Sequence, residues 1–157
     1  MNTDYERFGT NYVERYFQRC LFYGMFPSMF SHNAADNPYW RNPAWYNRDR
    51  PLFKKYIPLI RRVAEAGWRP VTGARCDNPH RWLERFGPDA QGVVYLTVLN
   101  TATTAQSGVL LVESGAGLAR PPAVAAELLT GRRLPQAGEG WRVELPAEGV
   151  AVVALER

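Results

Sequence analysis

Gly67-Trp68-Arg69-Pro70 divides this chain into two kinds of sequence. Of the twenty aromatic residues, sixteen lie in positions 1–68 and four beyond. The excess positive charge is also in front: ten Lys and Arg against six Asp and Glu in 1–68, nine against nine in 69–157. The front reads as two helices with an aromatic strand and a loop. The back reads as short strands separated by Pro, Gly and Asp turns. A helical, aromatic piece too small to close on itself, followed by a complete β-module, points to the tail of a larger architecture.

The composition bounds the possibilities. A chain of 157 residues can bury one ordinary core or two small ones. Hydrophobic content of 46% with 22% charged residues is that of a folded globular chain and not of a disordered one. No apolar run approaches the length of a transmembrane helix, so no membrane partner is expected. The opening MNTDYERFG is polar and acidic where an export signal is basic and then apolar; if the chain is complete as given, it is expected in the cytoplasm. A net charge of +4 with scattered arginines is too weak a basic signal for a nucleic-acid partner. Cys20 and Cys76 lack the close spacing of redox or zinc pairs and are expected as free thiols. No metal or cofactor site is expected.

In front of the seam, Tyr5, Phe8, Tyr12, Val13, Tyr16, Phe17 and Cys20 recur at steps of three and four, which predicts a helix over 4–20. Thr3 and Glu6 have the spacing of its capping box. The run from Leu21 to Phe26 is apolar almost throughout, as a strand buried on both faces would be, and Pro27 ends it; otherwise the front helices pack against the back module and the run is only a buried apolar segment. A long loop, SHNAADNPYWRNPAWYN, occupies 31–47. Asp49 then caps a helix over 50–66 that Gly67 terminates and Pro58 bends or divides.

Behind the seam, turn signals every eight to twelve residues predict an antiparallel sandwich. The strands are expected at about 71–76, 80–86, 92–100, 106–113, 124–130, 140–145 and 149–156. In Val93 to Leu99 both alternate faces are apolar, which suits a central strand. Trp141, Val143 and Leu145, the turn Pro146 to Gly149, and Val150, Val152 and Leu155 read as a closing hairpin. The expected fold class is therefore α+β, with N-terminal helices and one aromatic strand followed by an antiparallel β-sandwich.

The order of these pieces resembles the end of a bacterial glycoside hydrolase. The stretches FYGMFPSMF, YWRNPAWYNRDRPLFKKYIPLIRRVAEAGWRPVTGAR and NPHRWLERFG carry the likeness, with "VYLTVLN", "ELLTGRRL" and "LPAEGVAVV" in the back half. In such enzymes the last helices of a (β/α)8 barrel lead into a C-terminal antiparallel sandwich. The resemblance implies two domains: 1–68, the remnant of a β/α barrel, and 69–157, the sandwich. It also implies hydrolysis of a glycosidic bond by two carboxylates, roughly 5–5.5 Å apart to retain configuration or about 6.5–9.5 Å to invert it.

Barrel enzymes carry such groups at the ends of different strands. Only one candidate strand end is present, near Phe30, with Asp36 and Asp49 as its acidic neighbours. The catalytic pair is therefore expected upstream of this chain, which alone is expected to be inactive. The same resemblance places the loop on the active-site face. Tyr39, Trp40, Trp45 and Tyr46 have flat rings that stack on sugar C–H faces; His32, Asn33 and Asp36 have groups that hydrogen-bond hydroxyls, and Arg41 can hold a polar or acidic group. The alternative is a non-catalytic carbohydrate-binding or interaction module built on the loop 31–47. Faces that a barrel would cover are expected to drive self-association.

Overall fold

A computed structural model describes residues 9–29, 39–113, 118 and 122–156 of the chain. Helix α1 (Thr10–Tyr23) and helix α2 (Pro43–Ala66) are separated in sequence by a short 3-10 turn at Tyr39–Arg41. The strands are β1 (Trp68–Arg69), β2 (Ala74–Cys76), β3 (Arg81–Phe86), β4 (Val94–Asn100) and β5 (Gln106–Val112). They continue with β6 (Val124–Glu127), β7 (Arg132–Arg133), β8 (Gln136–Ala137), β9 (Gly140–Leu145) and β10 (Val150–Glu156). Six form one sheet in the order β1-β3-β4-β10-β6-β7; four form a second in the order β2-β5-β9-β8. All pairings are antiparallel, so the α+β class and the sandwich stand as expected.

The six-stranded sheet is the middle of three layers. Side chains alternate across a strand, and in β4 and β10 both sets are apolar. Val94, Leu96 and Val98 with Ala151, Val153 and Leu155 face the second sheet, where they meet Leu110, Trp141, Val143 and Leu145. Tyr95 and Leu99 with Val150, Val152 and Ala154 face the helices, where they meet Phe17, Leu21, Phe22 and Tyr56. All seven residues of β4 are buried, as the doubly apolar pattern requires. Thr97, on the helix-facing side, donates its hydroxyl to the Phe22 carbonyl at 2.7 Å, so even the polar member of that face is satisfied.

The helices form because each has one apolar stripe. On α1, Val13, Phe17, Cys20 and Leu21 are buried at steps of three and four. On α2 the buried set is Trp45, Asp49, Leu52, Tyr56, Ile60 and Val63. The stripes meet through Phe17, whose ring lies edge-on to Phe53 at 4.8 Å and beside Tyr56 at 5.9 Å. Burying such a side chain contributes about 1.5–3 kcal/mol. Glu14 ties the exposed side of the pair, accepting from Tyr56 at 2.7 Å and from Lys55 at 2.8 Å.

Four sequence readings are corrected. The stretch 21–26 is not a strand: Leu21, Phe22 and Tyr23 complete α1. Gly24 then closes the helix in the left-handed region (φ 64), its N–H and that of Met25 reaching Leu21 and Cys20 carbonyls. The apolar run reflects burial against the sheet, which a helix achieves as well as a strand. Second, α2 starts at Pro43 and not after Asp49, because Asn42 caps it: its side chain accepts from the Ala44 N–H at 3.1 Å. The loop is shortened accordingly, and α2 continues through Pro51 and Pro58.

Third, β9 and β10 are not a hairpin. β9 pairs with β5 and β8, whereas β10 pairs with β4 and β6, so Pro146 to Gly149 arches from one sheet to the other. Asn100 fixes the arch from inside, its fully buried side chain donating to the Thr104 and Pro146 carbonyls at 2.9 and 2.8 Å. Arg15 of α1 fixes it from outside through Glu148 at 2.5 Å. Fourth, the expected strand 124–130 ends at Glu127, whose carboxylate accepts from the N–H groups of Leu129 and Thr130 and so folds the next residues into a turn. The capping box at Thr3 and Glu6 falls outside the described residues.

At the seam, Gly67 ends α2 with φ 83 and its carbonyl accepts from the Gly87 N–H at 2.8 Å. β1 follows at once, pairing Trp68 with Phe86 and Arg69 with Arg85. Cys20 is buried on α1 and Cys76 half-buried in β2, both as free thiols. No helix among the described residues is long and apolar enough to cross a membrane.

Candidate functional site

Of the six candidate site residues, Tyr39, Trp40 and Arg41 are described; His32, Asn33 and Asp36 lie outside the described residues. The 3-10 turn that carries the first three is held from below by an acid. Asp49, on the buried stripe of α2 and fully inaccessible, accepts from the Tyr39 hydroxyl at 3.1 Å. Arg48 grips the same carboxylate through Nε at 2.7 Å and Nη2 at 3.0 Å, a two-pronged contact. A buried carboxylate is tolerated only when paired and hydrogen-bonded in this way. The expected helix cap is therefore a buried anchor for the turn.

The anchor places the two neighbouring rings differently. Tyr39 is fully buried and presents no face to solvent. Trp40 is 60% exposed, and its indole stands edge-on to Tyr39 at 4.8 Å. Tyr46 lies near parallel to Trp40, at 6.5 Å and 28°, and Phe53 supports it at 5.5 Å. The Arg50 guanidinium sits over the Tyr46 ring at 6.0 Å, and Arg41 is exposed next to Trp40 in the chain. The result is an aromatic platform with a cationic rim. Tyr46, one of the loop rings expected to stack on sugars, completes it, as do Phe53 and Asp49, which were not candidate site residues, while Trp45 is buried on α2. A signal for Asp49 exists in the sequence: it is the one acid on an otherwise apolar stripe at 45, 49, 52, 56, 60 and 63.

Three of the acids elsewhere, Glu14, Asp89 and Glu127, are occupied structurally. Glu127 is buried and accepts from Leu129, Thr130 and Val152. Burial tends to raise the carboxyl of Glu14, but hydrogen bonds from Lys55 and Tyr56 outweigh it and the net shift is downward. Asp89 behaves alike: burial is outweighed by the Tyr95 hydroxyl at 2.6 Å and the N–H groups of Val93 and Gln91, and the net shift is downward. A general acid working near neutrality needs the opposite displacement. Among the described residues no cluster of His, Cys, Asp and Glu is placed to hold a metal ion.

No protein-family model matches the chain, and no curated protein matches it in sequence. Solved structures do. A GH27 β-L-arabinopyranosidase from Geobacillus stearothermophilus superposes with a TM-score of 0.53 at 16% identity, over 96% of this chain and 31% of that one. A protein provisionally assigned as an α-N-acetylgalactosaminidase from Bacillus halodurans C-125 matches at 0.53 and 11% identity, over 96% and 32%. The α-amylase from Geobacillus thermoleovorans, solved with acarbose, matches at 0.50 and 13%, over 74% and 24%.

The chain has the fold of one part of these glycoside hydrolases. It spans about 30% of the length of the arabinopyranosidase-like chains while nearly all of it is matched, which fits a C-terminal portion carrying a β-sandwich. The likeness runs across the seam, so the helices and the sandwich are matched together.

Proposed function

We propose that this chain is the C-terminal, sandwich-bearing portion of a glycoside hydrolase, inactive by itself, with residues 1–68 as the end of the barrel and 69–157 as the accessory domain. The match of nearly the whole chain to under a third of such enzymes carries this reading. The structural employment of Asp49 and Glu127 and the downward shifts of Glu14 and Asp89 are consistent with a catalytic pair located upstream. The Trp40 platform, backed by Tyr46 and Phe53 and rimmed by Arg41, supports a sugar-stacking role for the 3-10 turn. His32, Asn33 and Asp36 are proposed to add hydrogen bonds to hydroxyls, with buried Tyr39 holding the turn in place.

Two assays test the reading. Aryl glycosides offered to the chain alone should release no aryl alcohol, and neutral oligosaccharides should bind with an affinity that Trp40→Ala removes. Turnover by the isolated chain would overturn the non-catalytic part. Coding sequence upstream of Met1 should add further β/α units with acidic strand ends, and a start signal preceded by none would overturn the fragment reading. Exposed Tyr12, Tyr23, Met25 and Phe26 support self-association. Light scattering should show mass rising with concentration, and a concentration-independent monomer would contradict it.

A further inference from the structure

Trp68, at the seam, and Trp82, in β3, lie on one face of the six-stranded sheet. Trp68 pairs with Phe86 across β1 and β3, and Trp82, Glu84 and Phe86 share a face by alternation. Phe86 belongs to the helix-facing core, so this is the helix side; Leu83 points the other way, toward the second sheet. The end of α1 covers the Phe86 ring at Gly24. Trp68 and Trp82 are left 54% and 53% exposed.

Glu84 joins the two rings. Trp68 stands opposite Phe86, yet its indole Nε1–H donates to the Glu84 carboxylate at 2.6 Å. The indole is therefore turned along β3 toward Trp82, which lies two residues, about 7 Å, from Glu84 on the strand. The residues that face the same way from β4 are Tyr95, Thr97 and Leu99, so Glu84 is the one charged residue on this face of β1, β3 and β4. Arg69, Arg81 and Arg85 belong to the opposite face, where Arg81 reaches the Gln106 carbonyl of the second sheet. Among the described residues Glu84 is in no ion pair, and the bond from Trp68 engages one of its two oxygens. A carboxylate can accept several more hydrogen bonds. Indole faces carry negative potential, and among aromatic rings they hold a cation best. Three neighbouring groups thus offer negative potential to solvent, with no basic side chain on their face to neutralise it.

We propose that this strip binds a protonated amino sugar: Glu84 takes the ammonium with its second oxygen, and the Trp68 and Trp82 indoles take the C–H faces of that sugar and its neighbour. The charge of the ligand is argued from Glu84 and the rings; that it is a sugar rests on the glycoside hydrolase reading. A neutral sugar lacks the charge this face calls for, so the ligand differs from that of the Trp40 platform.

The test follows the indole Nε1–H signals of the intact chain by NMR during titration with a glucosamine oligosaccharide. Its N-acetylated counterpart probes sugar without charge, and butylammonium probes charge without sugar. The glucosamine oligosaccharide should shift Trp68 and Trp82 along one saturation curve and bind more tightly than butylammonium; the N-acetylated sugar should leave both in place. Glu84→Gln keeps the shape and an acceptor for Trp68, and should weaken binding about tenfold, the loss expected for a charge-assisted hydrogen bond. Trp82→Ala should weaken it about threefold, as for an exposed cation–π contact. Trp82 is exposed and Gln has the size of Glu, so both variants should keep the wild-type spectrum elsewhere. Absence of saturable shifts at Trp68 and Trp82, equal affinity for the N-acetylated sugar or for butylammonium, or unchanged affinity in both variants would each overturn the proposal. Shifts of Trp40 alone would also overturn it while supporting the neutral-sugar platform, so the two readings fail separately.

Discussion

The two faces of the six-stranded sheet are covered by different chemistry. Toward the second sheet the cover is aliphatic and interlocking: Leu110, Val143 and Leu145 against Leu96, Val98 and Val153, with Trp141 as the aromatic member. Toward the helices it is largely aromatic, with Phe17, Phe22, Tyr39 and Tyr56 in one cluster with Phe86, Leu99 and Val152 of the sheet. The aliphatic side is tied by backbone pairing within each sheet and by the Asn100 side chain that pins the arch. The aromatic side rests on ring packing, one hydroxyl from Thr97, and ion pairs at its margin. The sandwich should therefore outlast the helical layer under stress. That layer carries the Trp40 platform, so the candidate site belongs to the side more easily loosened.

The contrast can be broken at its centre. Phe17→Ala removes a fully buried ring that touches both Phe53 and Tyr56 and should cost about 3–5 kcal/mol. In urea titration the loss should appear first in the helices. Amide exchange should stay slow in β5 and β9; equal loss of protection in both would show that the two faces melt together. Gly24→Ala attacks the joint between helix and sheet. A Cβ there would stand 2.6 Å from the Phe86 ring while the backbone holds φ at +64. The left-handed conformation alone costs a non-glycine residue about 1–2 kcal/mol, and a shift in the urea midpoint of at least that size is expected.

Smaller effects sharpen the picture of the site. Tyr39→Phe removes one of the two side chains that hold the buried Asp49 among the described residues and should cost about 1–3 kcal/mol. It should also raise amide exchange in the 3-10 turn without disturbing β4. On the opposite edge, the Tyr95 hydroxyl is pushed up from 10.0 to about 12, first by burial and then by Asp89 beside it. The folded state thus holds that proton more tightly than the unfolded chain does. The stability it gives is whole below pH 10 and falls as pH climbs from 10.0 toward about 12. Denaturation across that window should show the slope in the wild type and a shallower one in Tyr95→Phe.

How far the sequence disclosed this molecule depends on whether the information was local. The main strands were legible because alternation and turn residues are local, and the doubly apolar Val93 to Leu99 announced a central strand. The Leu21 to Phe26 run was misread because continuous apolarity reports burial and not conformation; Gly24 decided for the helix. The Trp141 to Leu155 pattern was misread because a hairpin and an arch between sheets look the same until the partners β5 and β4 are known. At the site, the exposed ring of Trp40 was legible as an aromatic in a polar loop. Its support was not, since Asn42-Pro43 and Asp49 both offer helix-start signals, and only packing shows which one caps and which one anchors.

The most direct test of the account is calorimetric titration of the isolated chain with neutral oligosaccharides, with reducing ends assayed in the same cell. The account predicts a saturable heat that Trp40→Ala abolishes, an unchanged melting temperature in that variant because the ring is 60% exposed, and no release of reducing ends. Binding that survives Trp40→Ala, or steady release of reducing ends by the chain alone, would contradict it.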